Sequence, residues 1–158
     1  MLIKPSLILG AISGAALGIF LLIPFINTFS CFILFTIVGA GIVFYLKKNS
    51  FIGILSLQDG ALVGAISGFI SLVAAAVVYL PISYILSLIF SPISKAGGNL
   101  INSFMVASYS IFVMIMLTFF MALLSALFNA FSGLIAAYIY ERIENNPIKE
   151  EKEFTVEQ

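Results

Sequence analysis

From Pro5 to Leu46 the chain reads PSLILGAISGAALGIFLLIPFINTFSCFILFTIVGAGIVFYL, and no residue in it carries a charge. Lys4 precedes the stretch and Lys47-Lys48 follows it. A helix needs about 20 apolar residues to cross a hydrocarbon layer of about 30 Å. This stretch is long enough to cross twice, with Pro24 and Asn27-Thr28 marking the turn between the crossings. Two further stretches, Gly60 to Ser94 and Ala96 to Tyr140, are equally free of charge.

The composition agrees with that reading. Of 158 residues, 62% are hydrophobic and 9% charged, where soluble domains average about 45–50% and about 25%. Mean hydropathy is +1.21. The formal net charge is zero, which leaves no electrostatic basis for binding nucleic acid. There is no His, and Cys31 is the one Cys, so an internal disulfide and the common metal-ligand spacings are excluded. No cofactor motif is present. Cys31 reads as a small apolar filler near a helix end.

The expected fold is an all-α polytopic bundle of four spans, about 6–26, 29–46, 61–80 and 117–140. Residues 1–142 form the bundle and 143–158 a charged, disordered tail rich in Glu and Lys. Lys4 followed by an apolar run has the order of a signal peptide, but the run to Ile26 is too long for one and reads as a retained first span. Pro81 should kink or end the third span. Ser91-Pro92 and Ala96-Gly97-Gly98-Asn99 are breakers, and point to an interfacial or re-entrant segment between spans three and four.

Charge fixes the orientation. Four spans put Lys4, Lys47, Lys48, Arg142, Lys149 and Lys152 on one side and only Lys95 on the other. Splitting Phe104–Tyr140 into two spans erases this bias. By the positive-inside rule both termini are cytoplasmic, in the inner membrane of a prokaryote. Tyr45, Tyr138 and Tyr140 then fall at the inner interface, and Tyr79, Tyr84 and Tyr109 toward the outer one.

The pentapeptide Gly-Ala-Ile-Ser-Gly occurs at Gly10–Gly14 and again at Gly64–Gly68. Each copy extends into a ladder at four-residue spacing, Gly10-Gly14-Gly18 and Gly60-Gly64-Gly68, which puts three glycines on one helix face. Gly133 adds a small residue to the last span. In lipid, helices associate by close van der Waals approach, and such glycine-zipper faces permit it. The doubled motif suggests a two-plus-two parallel repeat about an axis along the membrane normal. Asp59, just before the apolar run from Ala61, stands where a helix N-cap would.

No ionisable group falls at membrane depth, where coupled transporters and pumps normally keep one. Among the polar residues inside the spans, Asn129 lies near the midplane and needs partners, most simply hydroxyls such as Ser13 or Ser67. A Ser–Lys pair through Lys95 is the one catalytic arrangement available, and no strained turn accompanies it.

The run Ser56-Leu57-Gln58-Asp59-Gly60-Ala61-x-x-Gly64-x-x-x-Gly68 leading to Pro81 resembles a group of small prokaryotic four-span membrane proteins. These open their third helix with D/E-G-A-x-x-G-x-x-x-G. Lys47 after Gly39-Ala40-Gly41, and Ala126–Tyr140 with its Gly133, extend the resemblance over residues 4–142. It implies a topology and carries no activity. Two functions stay open. One is a non-enzymatic packing or assembly module, whose partners are the bilayer and either a second copy or another membrane protein. The other is a passive channel or carrier for a small neutral solute. A dry interior favours the first, and a wet path reaching Asn129 and Ser67 the second.

Overall fold

A computed structural model describes residues 3–49, 56–90 and 100–145 as five α-helices, with no strand among them. They are α1 (Ile3–Phe20), α2 (Ile26–Thr36), α3 (Val38–Lys48), α4 (Leu57–Phe90) and α5 (Leu100–Asn145). The segment expected to be interfacial around Ser91–Asn99, the apolar loop at 50–55 and the tail beyond Asn145 lie outside the described residues. Three helices hold stretches long and apolar enough to cross a membrane: α1, α4 over Leu57–Ser83 and α5 over Ile111–Ile143. The pair α2 and α3, bent by 63° at Ile37, makes a fourth if counted as one span.

The helices run past several expected boundaries. α4 begins at Leu57 instead of Ala61, because Ser56 opens it: its hydroxyl accepts the Asp59 N–H at 3.1 Å and donates to the Asp59 carboxylate at 2.8 Å. Asp59 therefore sits inside the first turn, its N–H capped by the Ser56 hydroxyl, and the residue before the helix is not Asp59 itself. α4 also continues through Pro81 to Phe90. Proline forfeits one backbone bond, a loss that membrane helices absorb by local adjustment. α5 is one helix of 46 residues, so the 117–140 stretch is part of a much longer rod. The first span closes early, at Phe20. A turn follows, ending at Phe25, whose φ of 71° is a strained conformation for a bulky residue.

α4 is the centre of the bundle. Of the most apolar stretch of each helix, 39% is buried in α4, against 22% in α1 and 11% in α5. Its two neighbours approach on small residues. A Cβ at Gly10 would stand 2.9 Å from the Ser67 carbonyl oxygen, and one at Gly18 would stand 2.8 Å from that of Ala75. Between them, Gly14 lies directly on the Ser71 backbone. Residue numbers rise together along this contact, so α1 and α4 are parallel. On the other side Gly60 meets Gly133 and Ala137, while Gly64 and Gly68 meet Asn129. Here the numbers run in opposite senses, so α5 is antiparallel to α4. The glycines of the two copies thus meet different neighbours, α4 for Gly10 and Gly14 and α5 for Gly64 and Gly68, while Ser67 of the second copy packs against Gly10 of the first.

α3 runs with α5. Gly39 lies on Asn129, and the Phe44 and Tyr140 rings are 5.6 Å apart further along. These directions bring Lys4, Lys47, Lys48 and Arg142 to one end of the bundle. Val38, Ile42, Val43 and Leu46 of α3 join Val63 of α4 and Ala137 of α5 in a compact core. Outside it α5 presents Phe119, Phe120, Phe128, Phe131 and Ile135 on its exposed surface. An apolar patch of that extent has no place in water and marks a surface that meets lipid or protein.

Gly41, by contrast, has nothing within 4 Å of where a Cβ would be, and it lies in the interior of α3. Gly41→Ala should therefore raise stability by about 0.5–1 kcal/mol, read as a higher melting temperature in detergent.

Candidate functional site

The polar interior centres on α5, where Ser125 and Asn129 are one turn apart on the same face. Both are fully buried. They lie against the break between α2 and α3, and the local sequence explains why the chain breaks there. Thr36-Ile37-Val38 is a run of three β-branched residues, which crowd a helix. The Thr36 hydroxyl also bonds back to the Phe32 carbonyl at 2.7 Å, a contact that often bends helices. Gly39 then removes the side chain where α5 comes closest.

In an unbroken helix the Phe35 carbonyl would accept the Gly39 N–H. The Asn129 amide is inserted into that gap and serves both ends. Gly39 N–H donates to Asn129 Oδ1 at 2.7 Å, while Asn129 Nδ2 donates to the Phe35 carbonyl at 3.0 Å and the Leu34 carbonyl at 2.8 Å. A side chain entering the ladder is one of the few recognised causes of a sharp kink. Nδ2 also lies 2.9 Å from the Ser125 carbonyl and 3.2 Å from Ser125 Oγ. Its two protons are thus shared among four acceptors. The single Ser125 hydroxyl proton is shared between Leu34 O at 3.0 Å and Gly68 O at 3.1 Å, which ties α5 to α2 and α4 at once.

Three glycines make room for this residue. A Cβ at Gly39 or Gly64 would fall on the Asn129 carbonyl oxygen, and one at Gly68 would stand 2.5 Å from the Asn129 Cβ. Gly39 comes from α3 and the other two from α4, so Asn129 is the point where three helices close on one another. The glycine ladder on α4 and the buried amide on α5 are one construction.

Ser13 and Ser67 do not join it. Their hydroxyls donate to the carbonyls of Gly10 and Gly64 in their own helices, each at 3.1 Å. Asn129 takes its partners from a broken backbone instead of from hydroxyls, because the break at Ile37 presents an unpaired N–H and carbonyls at the right depth. The sequence signal for this was the β-branched run before Gly39, which lies inside an otherwise uniform apolar stretch.

The seam joins α2, α3, α4 and α5 through its hydrogen bonds. Among the described residues every buried side-chain nitrogen or oxygen has a partner. Ser125 has no base beside it to activate its oxygen, which nucleophilic catalysis requires. No three residues of the His, Cys, Asp and Glu types gather among the described residues to hold a metal. Compared with protein families, curated proteins and solved structures, the chain matches none.

Proposed function

We propose that the chain is a four-span protein of the prokaryotic cytoplasmic membrane, with both termini cytoplasmic. Its role is non-catalytic packing and assembly, as a small subunit of a membrane complex or as a homo-oligomer. The two bent half-helices count together as the second span. The gathering of Lys4, Lys47, Lys48 and Arg142 at one end supports that count and the inward orientation. The glycine ladders act as zippers, and the two-plus-two repeat pairs α1 with α2–α3 and α4 with α5.

One observation carries the reading. The polar groups of the interior are spent on each other, with the Asn129 amide saturated by the backbone of α2, α3 and its own helix. A solute path needs donors and acceptors that can exchange their partners, and every buried side-chain nitrogen or oxygen among the described residues already has one within the protein. A passive carrier for a neutral solute is the second reading. It is favoured by the break at Ile37, since transporters build midplane sites from discontinuous helices.

Affinity isolation from the native membrane tests the choice. A stoichiometric partner or a defined oligomer is the expected result. A monodisperse monomer that admits glycerol into proteoliposomes would replace this reading with the carrier.

A further inference from the structure

The 63° bend at Ile37 has a consequence on the far side of the bundle from the cations. α3 buries five residues against its neighbours, whereas α2 buries only Ser30 and Leu34. The leaning α2 leaves a cleft of about 280 Å³ between itself, α4, α5 and the end of α1. Leu34, Leu72 and Met121 line the end nearest the Ser125–Asn129 seam. Ala75 and Ala76 form its floor, small enough to leave the space open. Leu21, Tyr79 and Leu80 stand at its mouth, and Cys31 and Thr118 line its sides. From Leu72 to Leu80 it follows α4 for about 12 Å at 1.5 Å per residue.

The occupant follows from position and size. Two of the walls belong to the membrane-crossing stretches Leu57–Ser83 and Ile111–Ile143, so hydrocarbon and not water surrounds the opening. An apolar cavity of about 150 Å³ accepts benzene, so the space suits a chain of about ten carbons. The lining contains no Asp, Glu, Lys, Arg or His. Tyr79 and Thr118, the hydroxyl-bearing residues of the lining, lie toward the shallow end.

We propose that this cleft binds one hydrocarbon chain of a membrane lipid, its tail end at Leu34 and Leu72 and its polar end beyond Tyr79. The proposal rests on the membrane reading above. It differs from general lipid contact, for which the crevice of about 380 Å³ at Leu7, Ile66 and Phe69, walled by α1 and α4 alone, provides a comparison.

The test uses the full chain in phosphatidylcholine vesicles containing a phosphatidylcholine with a diazirine in mid-chain. After irradiation, labelled residues are mapped by mass spectrometry. Cys31, Ala76 and Thr118 should carry severalfold more label than Ile66, Phe131 and Ile135. That excess should vanish in Ala76→Phe and in Thr118→Phe, which fill the cleft from opposite walls. Label at the cleft equal to that at Phe131, or unchanged by both substitutions, means ordinary solvation by lipid and overturns the proposal. So does a crosslink from the cleft to a second protein chain. Absence of label at Phe131 and Ile135 as well would show the chain outside the bilayer, and the membrane reading would fall with it.

Discussion

Gly64→Leu should separate α4 from α5 and cost at least about 3 kcal/mol, the upper range for forcing extra carbons into a packed interior. The first added carbon would land on the Asn129 carbonyl oxygen and 3.2 Å from the Ala130 Cα. Those are backbone atoms, so no rotamer change relieves the clash and the helices themselves must move apart. Moving them also lifts Gly60 from Gly133 and Gly68 from Asn129, since all three contacts lie along one interface. Even Gly64→Ala should therefore destabilise, whereas the same change at the open Gly41 should stabilise. Yield and melting temperature in detergent read both effects. A Gly64→Leu protein that melts like the parent would put this face of α4 against lipid.

The opposite signs expected at Gly64 and Gly41 show how far the residues could be read before the structure. Spacing at four residues singled out Gly10, Gly14, Gly18, Gly60, Gly64 and Gly68, because a helix repeats its face on that period. Spacing could not say which helix each face meets, since that depends on contacts between distant segments. The charge gaps likewise gave apolar stretches but not their breaks. Pro81 reads as a kink or end to its helix, and the helix does not end there, since neighbouring groups and local adjustment can satisfy the freed backbone of a membrane helix. The Thr36-Ile37-Val38 run lies at the break between α2 and α3 and does not stand out inside a uniform apolar stretch. Asn129 drew attention as a polar residue at membrane depth, and the need for partners followed from chemistry alone. Their identity did not, because backbone groups at a bend leave no mark in composition.

Asn129→Ala should straighten α2–α3. Deletion strands the Gly39 N–H and the Phe35 carbonyl, while the Leu34 carbonyl keeps the Ser125 hydroxyl, and each buried group left unpaired costs about 1–3 kcal/mol. The chain has an escape, because Phe35 and Gly39 can bond each other if the half-helices realign. The net loss should then stay near the 1–2 kcal/mol found for strong hydrogen bonds between membrane helices. Geometry carries the clearer signal. With six residues from Cys31 to Ile37 and twelve from there to Asn49, removing the 63° bend lengthens the Cys31–Asn49 separation by about 3–4 Å. Spin labels on Cys31 and on Asn49→Cys would register that change. Ser125→Ala leaves the amide in place and should keep the shorter distance. Straightening also carries α2 back toward α4 and α5 and shrinks the cleft, so Asn129→Ala should lose the excess lipid label at Ala76 without any change to the cleft lining. An unaltered distance in Asn129→Ala would mean that the β-branched run and Gly39 set the bend by themselves, with the amide a follower of the break and not its cause.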